Sequence, residues 1–263
     1  MALRNRRDIT FAGCDLSKEH LDHAVEKGII AHSFDLNEGI QWADMILIGT
    51  PVDVIKVILP EILDKVRDDQ LVVDFGSTKK TICDSVESHP NRASFLATHP
   101  IAGTEHSGPG AAFPELFHDK NLIICEKELT NEFHLSDFTE IAREAGFYFT
   151  FMSAEEHDRH LAYISHLSHV SSYVLSNTVL QKEKDGEVIL DLAGSGFEST
   201  VRLAKSSPVM WSSIFNENKR MVLESIHAYQ AELEVLRKRI EAEDVGGVSH
   251  YLEEGRKIRK ILK

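Results

Sequence analysis

The chain has 263 residues, 42% of them hydrophobic and 27% charged, with 29 basic side chains against 42 acidic ones and a net charge of −13. That length can bury one large core or two modest ones, and so acidic a chain lacks the electrostatic footprint of a nucleic-acid binder. Cys14, Cys83 and Cys125 are odd in number and lack metal-ligand spacing, so buried thiols in a reducing cytoplasm are expected rather than a disulfide framework.

Residues 1–7 are basic, yet no hydrophobic stretch follows them, as a secretion signal would require. No apolar run reaches the roughly 18 residues of a membrane span. The cytoplasm is the expected address, with no membrane partner.

From residue 8 to 152, short apolar runs alternate with helical stretches. Runs at 9–14, 45–49, 71–75, 95–98, 122–125 and 147–151 read as strands. Most are continuously apolar, as expected when both faces of a sheet are covered. Residues 17–27 read as a helix, with Ser17 as N-cap and Gly28 as its stop. Strand and helix in repetition predict a parallel α/β sheet.

Helical periodicity takes over at residue 153. Its longest stretch places Val222, Ile226, Tyr229, Leu233, Leu236 and Ile240 at 4-3-4-3-4 spacing on one face. That stripe suits either an internal core or a helix packed across a dimer. Two domains follow, an α/β unit over 1–152 and an all-α unit over 153–263.

Candidate chemistry sits just after the strands. Asp15 ends the first run; in a dinucleotide-binding fold an acidic residue there accepts from the adenosine ribose hydroxyls, and otherwise it caps a helix. A glycine-rich turn is expected about 20 residues before it, but only 14 residues precede Asp15 and they hold no G-x-G-x-x-G. Ser77 and His99 follow two further strands, where ligands of open α/β sheets sit. His99 can take a proton from an alcohol as hydride leaves the same carbon, and Ser77 can orient it; the plainer alternatives are a loop histidine and a helix cap.

The helix starting near Ser153 carries His157, His160, His166 and His169. At about 100° per residue the first two share a side and the last two point oppositely. One helix cannot bring all four to one ion, so no metal site is expected, and one inward-facing pair is a candidate contact for an anionic ligand. Arg202 follows glycines that break the chain, and its guanidinium either grips a substrate carboxylate in a planar fork or stays on the surface. Neither a G-x-S-x-G elbow nor a P-loop is present.

Several segments carry a resemblance in their order: the Gly49-Thr50-Pro51-Val52 turn, D-F-G-S-T-K from Asp74, H-P-I-A-G-T-E-H-S-G from His99, His157-Asp158, S-H-L-S-H from Ser165, and R-L-A-K-S-S-P-V-M-W from Arg202. From Asp8 to about Asn216 the chain resembles the prephenate dehydrogenase family of tyrosine biosynthesis. The resemblance implies an α/β Rossmann-like domain, here N-terminally incomplete, followed by an all-α dimerisation domain that pairs two copies. It implies oxidative decarboxylation of prephenate, or of arogenate in the nearest alternative, with NAD as cofactor and tyrosine as a candidate inhibitor. His99 is then the proton acceptor, Ser77 orients it and the nicotinamide, and Arg202 and His169 bind substrate. Glu105 shapes the entrance, and Asp15, Thr50 and Pro51 hold the cofactor. The absent glycine loop departs from the family, and a shortened version of a longer protein is expected. The rival from another class is a module that binds a carboxylate such as tyrosine without turnover.

Overall fold

A computed structural model describes residues 1–3, 5–103, 108–184 and 189–261. In chain order the first half forms β1 (Ala12–Gly13), α1 (Lys18–Glu26), β2 (His32–Ser33), α2 (Leu36–Trp42), β3 (Met45–Ile48), α3 (Val52–Leu63), β4 (Leu71–Asp74), α4 (Lys80–Asp84), β5 (Phe95–Pro100), β6 (Lys120–Cys125), α5 (Glu132–Glu144) and β7 (Phe147–Met152). The second half forms α6 (Ala154–Leu161), a π-helical turn (Ala162–His166), α7 (Leu167–Lys184), α8 (Ser195–Val201), α9 (Pro208–Glu217), α10 (Lys219–Glu241) and α11 (Val245–Arg256). No helix among the described residues is long and apolar enough to cross a membrane.

The sheet is mixed, which corrects the all-parallel expectation. Its five-stranded part runs β3-β4-β5-β6-β7, and β6 lies antiparallel to β5, with Ile123 opposite His99. The described part of the β5–β6 connection carries short 3₁₀ turns instead of a crossover helix, and a parallel return requires such a crossover. β1 and β2 pair in a separate two-stranded sheet. The apolar run at 9–14 contributes only Ala12–Gly13 to it, and β2, two exposed residues, had no signal to be read.

Strand alternation divides the core between the sheet's faces. Leu71, Val73, Leu96, Leu122 and Ile124 pack with Phe138 and Ala142 of α5. Val72, Ala97 and Ile123 face the other way, onto Ile55, Leu59 and Ile62 of α3. The same cluster takes in Ala154, Leu161, Trp211 and Ile214 from the helical half. That shared apolar seam brings α6 and α9 over the ends of β4 and β5, where the cleft opens.

Candidate active site

A buried pair, Asp74 and Lys79, lies behind the residues that line the cleft. Asp74, at the end of β4, accepts hydrogen bonds from Gly76 N (2.9 Å), from Thr98 N (3.1 Å) and, through its backbone carbonyl, from the Thr98 hydroxyl (2.6 Å). The Lys79 ammonium, also fully buried, pairs with that carboxylate and donates to the Thr98 carbonyl at 2.8 Å. A buried pair so fully hydrogen-bonded is costly to break from one side. It clamps the loop bearing Ser77 to the strand bearing His99.

The helical half supplies the opposite wall. Ser153 caps α6 in a reciprocal capping box with Glu156, which starts the helix at the residue expected and aims His157 and Asp158 inward. His99 Nδ1 lies 2.9 Å from His157 Nε2, and His157 Nδ1 lies 2.7 Å from Asp158 Oδ1. Sequence reading made Ser77 the orienting partner of His99. Ser77 lines the cleft, but the ring nitrogen is held by His157, and no hydrogen bond joins Ser77 to His99 among the described residues.

The π turn corrects the helical-wheel argument. Its wider winding takes up one extra residue between α6 and α7, so His157 and His166 are both buried instead of pointing to opposite sides. His169 then stacks on Trp211, ring centroids 3.4 Å apart, while its Nδ1 bonds the Ser165 carbonyl at 3.1 Å. Trp211 is buried, and its indole N–H has no partner among the described residues. It lines the cleft, where a buried donor needs an acceptor from a ligand or a water.

The cleft measures about 1330 Å³ and is lined by Ser77 and His99 from one half and by His169, Arg202 and Trp211 from the other. Arg202 opens a 3₁₀ turn after α8, exposed and with no carboxylate partner among the described residues. Burial holds His99 well below the usual imidazole range, reinforced by His157, Lys79 and His166. His169 is lowered too, first by burial and then by Arg202. The cleft thus offers neutral imidazoles beside one guanidinium, a set suited to a proton acceptor working on an anionic substrate. Glu105 lies outside the described residues.

Two exposed places fit a dinucleotide. Asp15 stands just past β1, one oxygen accepting from Ser17 N at 2.7 Å and the other 3.7 Å from His20 Nδ1. Ser17, and not Asp15, caps α1, which leaves the exposed carboxylate able to accept from a ribose. Thr50 and Pro51 form the turn into α3, a helix start that no side chain caps, with open space beside Gly49. The sequence contributes no glycine loop to lie between them.

Asp158, Lys79 and Trp211 received no role from sequence, and His157 only that of one histidine in a pair that could face an anionic ligand. Their only signal was membership of the quoted motifs, because burial and partner cannot be read from spacing.

Family models for the prephenate dehydrogenase nucleotide-binding domain and dimerization domain match residues 1–150 and 153–254. A cyclohexadienyl dehydrogenase of Zymomonas mobilis is 30% identical over 230 residues, covering 87% of this chain and 78% of that protein. A prephenate dehydrogenase of Bacillus subtilis is 29% identical over 253 residues, covering 95% and 68%. Among solved structures, the prephenate dehydrogenase of A. aeolicus in complex with hydroxyphenyl propionate and NAD⁺ superposes with a TM-score of 0.92 at 28% identity, covering 100% of this chain and 92% of that one. On that evidence the chain belongs to the prephenate dehydrogenase family.

Proposed function

We propose that this chain is an NAD-dependent prephenate dehydrogenase, converting prephenate to 4-hydroxyphenylpyruvate and CO₂ in tyrosine biosynthesis. One observation carries the reading: a neutral imidazole, His99, and a guanidinium with no carboxylate partner among the described residues, Arg202, line a single cleft from opposite halves of the molecule.

His99 draws the proton from the ring C4 hydroxyl as the C4–H electron pair departs. NAD⁺, when bound, supplies the acceptor for that hydride. The bond from C1 to its carboxylate then breaks, CO₂ leaves, and the freed pair completes the aromatic ring. The proton returns from His99 to the phenolate oxygen. Because aromatisation drives the reaction, the protein's task is alignment. Arg202 grips a substrate carboxylate in a planar fork, and His169 and the Trp211 N–H line the same pocket. Ser77 faces the nicotinamide side, Glu105 shapes the entrance, and Asp15, Thr50 and Pro51 hold the cofactor.

The working unit is a homodimer joined through the helical half, in a reducing cytoplasm that keeps Cys83 and Cys125 as buried thiols and Cys14, against the sequence expectation, as an exposed one. Tyrosine, with the product's ring and a carboxylate, fits the same cleft as a competing ligand. His99→Asn is expected to lower turnover by about 10²- to 10⁴-fold, measured as NADH formation with prephenate and with arogenate. Undiminished turnover overturns the assignment, and a preference for arogenate changes the substrate. In calorimetric titrations with each ligand, a response to tyrosine and none to NAD⁺ replaces the enzyme with a carboxylate-binding module.

A further inference from the structure

We infer that His157 and Asp158 are positioning residues that fix the tautomer of His99, so that its imidazole meets the substrate with a bare Nε2. The inference rests on the reading of His99 as the proton acceptor.

The proton positions follow from Asp158 outward. Its Oδ1 accepts from the backbone N–H of Lys79 at 2.7 Å and its Oδ2 from that of Lys80 at 2.9 Å. Burial raises the Asp158 pKa, but the two backbone donors, with Lys79 and His166 nearby, favour its ionised form; as a carboxylate it can only accept, and its contact with His157 Nδ1 is then satisfied when that nitrogen carries a proton. His157 is fully buried, faced by Lys79 from the loop after β4, by His160 of its own helix and by His166 of the π turn. A second proton there is opposed by burial and by the Lys79 ammonium, so Nε2 of His157 is bare. At 2.9 Å a bare nitrogen accepts, and His99 Nδ1 therefore donates. Neutral His99 then keeps its lone pair on Nε2.

The opposite tautomer of His99 sets two lone pairs against each other inside the protein. It also turns the base into a donor, useless for taking a hydroxyl proton. One carboxylate thus decides, through two imidazoles, whether the site can act. Asp158 is itself held by elements of both halves. Its side chain accepts from the start of α4, and its carbonyl accepts from Asn218 Nδ2 at 2.7 Å. The proton on His99 is consequently set by how the two halves sit together.

The test uses Asp158→Asn in the full chain. An amide of the same shape keeps one acceptor for the backbone and turns an N–H₂ toward His157, which reverses both imidazoles. The expected loss in kcat is about 10²- to 10⁴-fold with KM changed less than about threefold, as for other bases held in the wrong tautomer. Nitrogen NMR of the free protein reads the tautomer without turnover. His99 is expected as Nδ1–H in the parent and Nε2–H in the variant.

His157→Gln, whose carbonyl can still accept from His99, is expected to retain far more turnover than His157→Leu. Those two variants also decide the matter if the Asp158 variant does not fold. A parent His99 found as Nε2–H, wild-type kcat in Asp158→Asn, or equal losses in the two His157 variants overturns the inference. If His99→Asn itself leaves turnover intact, it is the reading of His99 that falls, while the tautomer measurement still judges the relay.

Discussion

His99, His166 and His169 line the cleft with His157 behind them, and each of the four takes up a proton less readily than a free histidine, with burial the leading cause. For catalysis this keeps His99 neutral throughout the ordinary working range, so the acid limb of kcat/KM falls below 6.5 instead of at it. For stability the sign is equally definite. Below the unfolded value of 6.5 the unfolded chain binds protons that the folded chain refuses, so stability is lost on acidification until the folded value is passed. His166, almost wholly buried between Asn218 and Trp211, is lowered to about 4. It alone accounts for roughly 2 kcal/mol of loss between pH 6.5 and 5. Urea unfolding across that window is expected to show the fall, with a shallower slope in His166→Gln. Equal slopes contradict the assignment.

Helices join the halves as directly as side chains do. The face of α3 formed by Val52, Ile55, Leu59 and Ile62 packs into the core, which leaves Asp53 and Lys56 to reach α9. Ser213 donates to Asp53 at 2.6 Å, and Lys56 Nζ lies 2.8 Å from both carboxylate oxygens of Glu217, which is buried to 4% exposure. Since α3 starts at the Thr50–Pro51 turn and α9 carries Trp211, these bonds tie the cofactor turn to the substrate wall. Lys56→Met strands a buried carboxylate and is expected to cost about 2–3 kcal/mol of stability. It should also raise KM more than it lowers kcat. Calorimetry and kinetics check both, and an unchanged melting temperature rules the tie out.

Much of this architecture was legible and some was not, for reasons visible at particular residues. Val72, Val73 and Leu96 announce a sheet covered on both faces because apolar runs need no partner to be recognised. His32–Ser33 carries no apolar side chain, so its strand was silent. The reversal of β6 was silent too, since side-chain alternation is the same in either direction. Spacing located His99, Ser77 and Arg202 at element ends, where ligands gather. It could not find His157 as the partner of His99, because a wheel drawn at 100° per residue has no place for the π turn that aligns α6 and α7.

Among the described residues the helical half leaves a broad apolar helix face exposed, as the proposed homodimer requires. Val222, at the start of the α10 stripe, is buried, but Tyr229, Leu233 and Ile240 further along are 45%, 57% and 59% exposed. In α7, 18 residues long, only Ser172 is buried, while Val174 and Leu180 face outward. Exposed apolar surface on this scale belongs to an interface, and the half that carries it matches the dimerization-domain model. A helix face covered by its own copy gives a two-fold interface in which the same residues meet on both sides. Leu233→Glu therefore places its charge in the interface twice. Light scattering is expected to find the parent chain as a dimer and the variant as a monomer. The parent's melting temperature should rise with protein concentration, as mass action requires, and the variant's should not. A parent chain that stays monomeric at micromolar concentration removes the interface.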